Sequence, residues 1–187
     1  AQARAEPDAR AVAQRDVGAI LIAGLHALEY RGYDSAGLAV LQDGSLQRRR
    51  AKGKVRDLEQ LLSAEPVAAQ IGIAHTRWAT HGVPSTHNAH PHVSADRVSV
   101  VHHGIIENHA KLRDELSAQG YAFTSETDTE VIAHLIESLL QQGMELREAV
   151  VAATQRLHGA YAIAVLSRDE PGRLLGARRG SPLVVGI

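Results

Sequence analysis

Apolar positions along the chain change period several times, and each change marks an element. Val17, Ile20, Leu21, Leu25 and Leu28 recur at intervals of three and four, which gathers them on one face of a helix. Asp16 stands where its carboxylate can accept from the free N–H groups of that helix's first turn. The glycines of Arg31–Gly37 break the pattern. Leu38–Leu41 then reads as a short strand, Gln42-Asp43-Gly44 as a hairpin turn into a second strand, and Lys54–Ser63 as a helix. Ile71–His75 has the character of a buried strand. Periodicity is lost from Arg77 to Ser94, where two Pro, one Gly and four His lie in eighteen residues. A long irregular segment inside a compact domain is usually functional or disordered. Arg97–His102 alternates as a strand and ends at His103-Gly104. Beyond it the pattern predicts a helix at Lys111–Gln119 and a short strand at Tyr121–Phe123. Helices follow from Glu130 to Gln142, capped by Thr127 or Asp128, and from Glu145 to Leu157. Strands close the chain at Ala160–Ser167, Leu174–Ala177 and Leu183–Ile187. Strands joined by short turns favour antiparallel pairing, so the expected fold class is a layered α+β domain.

Composition narrows the possible functions. With 187 residues, 44% hydrophobic and 22% charged, the chain can bury one sizeable core. Twenty Lys and Arg against 21 Asp and Glu leave a net charge of −1, which gives no electrostatic case for nucleic acid or an anionic membrane as partner. The chain has no cysteine, so disulfides, thiolate metal sites and a Cys nucleophile within it are excluded. No apolar run approaches the roughly 20 residues that span a bilayer, and a cytoplasmic location is expected. A start at Ala1 and an end inside an apolar run suggest a fragment.

Candidate chemistry concentrates in a few segments. Arg77, Trp78, Thr80 and His81 fall within five residues. A guanidinium followed by hydroxyl and imidazole donors suits a small carboxylate; a surface loop with a solvated Arg and a packed Trp fits the same residues. His87, His90 and His92, with His81 upstream, invite a metal reading, although chance clustering among 11 His fits better, and no metal is expected. Gly104 follows a strand directly, where a glycine lets an N–H approach a ligand as an oxyanion hole requires, or simply makes a turn. Asp128 in Ser125–Asp128 either caps a helix or meets a ligand ammonium. Arg48-Arg49-Arg50 reads as the solvated face of a strand.

Taken together, LEYRGYDSAGLAV (Leu28–Val40), GIAHTRWATHG (Gly72–Gly82), PS…NAHPH (Pro84–His92), VVHHGIIENH (Val100–His109) and SETDTEVIAHL (Ser125–Leu135) carry a resemblance. The chain from about Ala13 to Ile187 resembles the glutaminase domain of the glucosamine-6-phosphate synthases, which are class II glutamine amidotransferases. The resemblance implies an αββα sandwich of the N-terminal-nucleophile hydrolase type, and no cofactor. It implies a parent reaction in which ammonia from glutamine aminates fructose 6-phosphate on separate isomerase domains, in a homo-oligomeric enzyme. Carried over residue by residue, it implies Arg77 on the substrate α-carboxylate, with Thr80 and His81 nearby in a covering loop. Trp78 would lie in that mobile loop and Asp128 on the α-ammonium. Gly104 would be an oxyanion donor, and Arg31 would orient the N-terminal residue.

Two departures bear on activity. The family's nucleophilic Cys falls on Glu6, and the family's oxyanion Asn is His103. Residues 1–12 are therefore expected to be an altered leader in place of the nucleophile strand, and 13–187 an incomplete amidotransferase domain lacking further C-terminal strands and the isomerase domains. Glu6–Ala11, with three charges and a Pro, is expected to leave the sheet and fray. A non-catalytic glutamine-binding module and a His-rich metal-binding domain are the alternative functions.

Overall fold

A computed structural model describes residues 9–12, as backbone, and 16–184. The described residues form two antiparallel four-stranded sheets. The first takes β1 (Ala9–Val12), β2 (Ser35–Gln42), β3 (Ser45–Lys52) and β4 (Ile71–Arg77) in the order β1-β4-β2-β3; the second takes β5 (His92–Ser94), β6 (Val98–Gly104), β7 (Tyr161–Ser167) and β8 (Leu174–Arg179) in sequence order. Helices α1 (Gly18–Leu28) and α2 (Val55–Ala64) belong to the first half of the chain; α3 (His109–Ala118), α4 (Thr129–Gln141) and α5 (Leu146–Arg156) lie between β6 and β7.

Side chains alternate along the strands with period two, and in β2, β4, β6 and β7 both faces are buried, which is why these strands carry few polar positions. In β2, Leu38 and Val40 pack with Leu21 and Leu25 of α1 and with Leu58 of α2, whereas Ala39 and Leu41 turn to the other side. There they meet Ile73 of β4, Val101 of β6 and Ala164 and Leu166 of β7. In the second sheet, Val100, Ile163 and Val165 pack with α3, α4 and α5. The result is four layers, helix–sheet–sheet–helix, with the apolar seam between the sheets built from small and branched residues.

Several sequence expectations need correction. Ala9–Val12 does not leave the sheet: it pairs with β4, Ala9 opposite Ala74 and Val12 opposite Ile71. It is an edge strand, and its ladder uses only backbone groups, which charged side chains do not remove; Glu6, Pro7 and Asp8 lie outside the described residues. Tyr121–Phe123 is not a strand. Its two rings pack against His134 of α4, at 5.1 and 4.7 Å between centroids. Leu183 and Val184 are not in a strand, and residues 185–187 lie outside those described. The irregular segment contains β5, three residues that pair with β6. Arg48 and Arg50 are not a solvated face: the Arg50 Nη1 donates to the carbonyls of His87 and Ala89 at 2.9 Å each, and that of Arg48 reaches the Pro91 carbonyl at 3.5 Å. Burial pulls the Arg50 pKa down to about 10. Gly37 is needed at this crossing, since a Cβ there would come within 2.2 Å of the His90 carbonyl oxygen.

Candidate functional site

One end of the sandwich is open. The ends of β4 and β6, the start of β7, the residues preceding α4 and the segment after β8 surround a cavity of about 450 Å³, a size that suits a small metabolite. It brings together Arg77, Trp78, Thr80, His81, His103, Gly104 and Asp128. Arg31 is not among its lining residues; it lies in a 3₁₀ turn, its Nε donating to the Tyr30 hydroxyl at 3.1 Å. Glu6 lies outside the described residues. The antiparallel register directs the N-terminal end of β1 along β4 toward His75 and Arg77, which line the cavity.

Arg77 is the last residue of β4, opposite Ser35 of β2, and only 3% exposed. Its Nη1 faces the Asp34 carboxylate at 3.5 Å, and its Nη2 donates to the carbonyls of His81 and of Gly82, the latter at 3.2 Å. Burial draws its pKa below the usual arginine range, opposed by the charges of Asp34 and Asp128. Asp34 also accepts from the Ala79 N–H. The 77–82 loop thus closes on its own guanidinium, which keeps donors to spare because an arginine has five. The Trp78 ring lies against Gly32, where a Cβ would come within 2.8 Å of it.

Asp128 does not cap α4 through its side chain. One carboxylate oxygen accepts from the Ile106 N–H at 2.8 Å. The other lies 3.9 Å from both the His81 and the His102 Nδ1, beyond hydrogen-bond reach, and so remains open to a donor. The start of α4 is held instead by Glu130, which reaches back to the N–H groups of Thr124 and Ser125 and to both their hydroxyls. Burial pushes the Glu130 pKa up, but these bonds outweigh it and leave it lowered. Gly104 has φ +128°, and a Cβ there would stand 2.1 Å from the Ala160 carbonyl oxygen; only glycine lets β6 turn here beside β7.

The histidines do not make a metal centre. His90 and His92 are buried and bonded to threonine hydroxyls, His90 to Thr129 at 3.1 Å and His92 to Thr127 at 3.0 Å; His87 is exposed. Among the described residues, no three His, Asp or Glu side chains are grouped to hold a metal ion. Burial pushes the pKa values of His90 and His92 well below the ordinary range, and that of His102 to about 4, so all three are neutral near pH 7. His90 stacks on His75 at 4.3 Å between centroids. Sequence reasoning gave no site role to Asp34, His102 or Thr129 and read Thr127 only as a cap, because nothing in their spacing shows that a hydroxyl will meet an imidazole some 27 to 39 residues away, or a carboxylate a guanidinium 43 away.

The glutamine amidotransferase domain model matches residues 75–184, which includes the cavity residues of β4, β6 and α4. The chain belongs to the glutamine amidotransferase domain family. It is 61% identical over 178 residues to the glutamine–fructose-6-phosphate aminotransferase [isomerizing] of Pseudomonas putida, and 58% over 178 residues to that of Escherichia coli. In both cases 95% of this chain matches 29% of the relative, so the chain spans less than a third of these proteins. Among solved structures it is similar to glutamine phosphoribosylpyrophosphate amidotransferase from B. subtilis, with a TM-score of 0.71 and 27% identity, covering 85% of this chain and 34% of that one. It is also similar to an allosteric regulatory enzyme of purine biosynthesis, with a TM-score of 0.73 and 27% identity over 87% of this chain and 36% of that one. The four-layer architecture is that of the N-terminal-nucleophile amidotransferases.

Proposed function

We propose that the cavity is a glutamine site, and that this chain is the glutaminase portion of a glucosamine-6-phosphate synthase whose own Cys nucleophile is absent here. The observation that carries the reading is the joining of Arg77 and Asp128 in one cavity. A guanidinium with spare donors and a carboxylate with an open oxygen match the α-carboxylate and α-ammonium of a free amino acid. Gly104 and His103 lie at the same end and would take the side-chain amide, Gly104 through its N–H and His103 through its ring. Thr80 and His81 would complete the cover, and Trp78 would move with them. Arg31 would act on the N-terminal segment. Fructose 6-phosphate belongs to isomerase domains outside this chain, and homo-oligomerisation to the whole enzyme; the location would be the cytoplasm.

Trp78 is the chain's single tryptophan, so its fluorescence reads the cavity directly. L-Glutamine is expected to give a saturable change, whereas N-acetylglutamine and glutamine methyl ester, each lacking one of the two charges, give it only at much higher concentration. Equal responses to all three would remove Arg77 and Asp128 from the binding role.

A further inference from the structure

We propose that His81 is a proton-operated latch on the cavity: its protonated imidazole pairs with the open oxygen of Asp128 and takes the place of a ligand's ammonium. The competition with an ammonium rests on the glutamine reading; the pairing itself does not.

The His81 Nδ1 lies 3.9 Å from the Asp128 Oδ1, too far for a hydrogen bond but within the range of an ion pair. Its surroundings keep it there. The Arg77 guanidinium donates to the His81 carbonyl, and the Thr80 hydroxyl lies 3.4 Å from the His81 Nδ1. The ring also meets His109 of α3 edge to face, at 4.8 Å between centroids. Asp128 is buried and its Oδ2 is taken by the Ile106 N–H, so a single oxygen is left for a cation.

Two other histidines beside this oxygen and this ring are held neutral. The His102 Nδ1 stands at the same 3.9 Å from Asp128, but burial brings its pKa to about 4. His109 is the first residue of α3, where the helix dipole disfavours a positive charge. Its Nδ1 is buried with no hydrogen-bond partner among the described residues, and burial, then the neighbouring His81, lowers its pKa. The His81 side chain is 29% exposed against 1% for His102, so water can deliver and solvate its proton. His75, His103 and Glu107 line the same cavity, and Arg113 adds a positive charge near His109. Glu126, beside Gly82, is engaged with Asn88 and the Val83 N–H.

Protonation of His81 therefore sets a cation against the one oxygen that the ligand's ammonium needs. Free glutamine is a zwitterion at pH 8 and at pH 6, and Arg77 stays charged throughout. The proton on His81 must leave before the ammonium enters, which links binding to pH.

Calorimetric titration of L-glutamine into the full chain at pH 8 and pH 6 tests the competition. The unmutated chain should bind at least about threefold more weakly at pH 6. It should also release protons on binding there, read from the heats in two buffers of different ionisation enthalpy. His81→Gln should remove both effects whatever its own affinity, and His109→Phe, which keeps a ring against His81, should retain them. Equal affinity at the two pH values, tighter binding at pH 6, the same weakening in His81→Gln, or its loss in His109→Phe would overturn the proposal. Fluorescence of the ligand-free chain tests the pairing alone, because Trp78 stands in the same loop. Its emission should change between pH 8 and pH 6, stay constant in His81→Gln, and change only at lower pH in Asp128→Asn. No emission change, or the same change in all three proteins, would overturn the latch. The expected emission changes in a chain that binds no glutamine at either pH would overturn the occupant and leave the latch standing.

Discussion

At the scale of single residues, the site depends on charged groups held short of full pairing. Arg77 is spent on two loop carbonyls and Asp34, and Asp128 on one N–H, yet each keeps capacity for a ligand. Nearby, the rings of His90, His92 and His102 are neutral because burial makes their charging unfavourable. This has a pH consequence. A histidine that titrates at about 4 when folded and near 6.5 when unfolded contributes stability that is complete above pH 6.5 and is lost as pH falls toward 4. At about 1.4 kcal/mol per pKa unit, His102 alone accounts for roughly 3 kcal/mol, and His90 and His92 act in the same direction. Urea midpoints should therefore fall between pH 7.5 and 5, and His102→Gln should flatten the slope; a midpoint independent of pH would show that these rings are solvated. That Arg77 and Asp128 could serve one ligand was readable from their chemical types; that His102 lines the same cavity was not, since a histidine on a strand has the same pattern wherever its ring packs.

At the scale of elements, helices and central strands were legible because their apolar periods are long and regular. β5 was hidden: three residues inside a segment with two prolines are too few to show a period, and only pairing with β6 makes them a strand. Tyr121 and Phe123 have strand character but serve α4, whose surface is buried nearly all round, Glu130, His134 and Glu137 included. The 83–91 segment is positioned by specific side-chain bonds, which periodicity cannot report. Arg50 crosses to its carbonyls, and Asn88, fully buried, bonds the Val83 carbonyl and the Glu126 carboxylate at 2.9 Å each. Arg50→Ala should cost about 1.5–3 kcal/mol, the usual range for bonds to a charged group, and should speed hydrogen exchange of the amides from Thr86 to Ala89; unchanged exchange would contradict the clamp. Gly104→Ala should cost more than about 2 kcal/mol, because a backbone oxygen at 2.1 Å cannot be relieved by turning a side chain. A thermal melt within a degree or two of the unmutated chain would show that β6 and β7 separate easily there.

At the scale of the whole molecule, the two sheets share a seam, and the strand ends that carry motif residues meet at one end of it. Five sequence segments spread from Leu28 to Leu135 therefore become a site only after folding, and their order in the sequence carried the resemblance before the geometry did. What the sequence did not suggest was the pairing of β1 with β4, because the charges and the proline of Glu6–Ala11 argue against a strand. The chain has no cysteine, and loss of a covalent nucleophile can cost on the order of a million-fold in kcat. Ammonia release from glutamine by protein free of host synthase should not exceed that of a heat-killed control, and release above it would mean that another group performs the attack.

The central claim is that the pocket recognises an amino acid through Arg77 and Asp128 without any chemistry following. Calorimetric titration of L-glutamine into the unmutated chain, Arg77→Ala and Asp128→Ala tests it most directly. The account predicts one site in the unmutated chain and at least about tenfold weaker binding in each variant, the cost of a lost charged hydrogen bond, with each variant retaining a cooperative melt. Equal binding by all three proteins, or none by the unmutated chain, would contradict it.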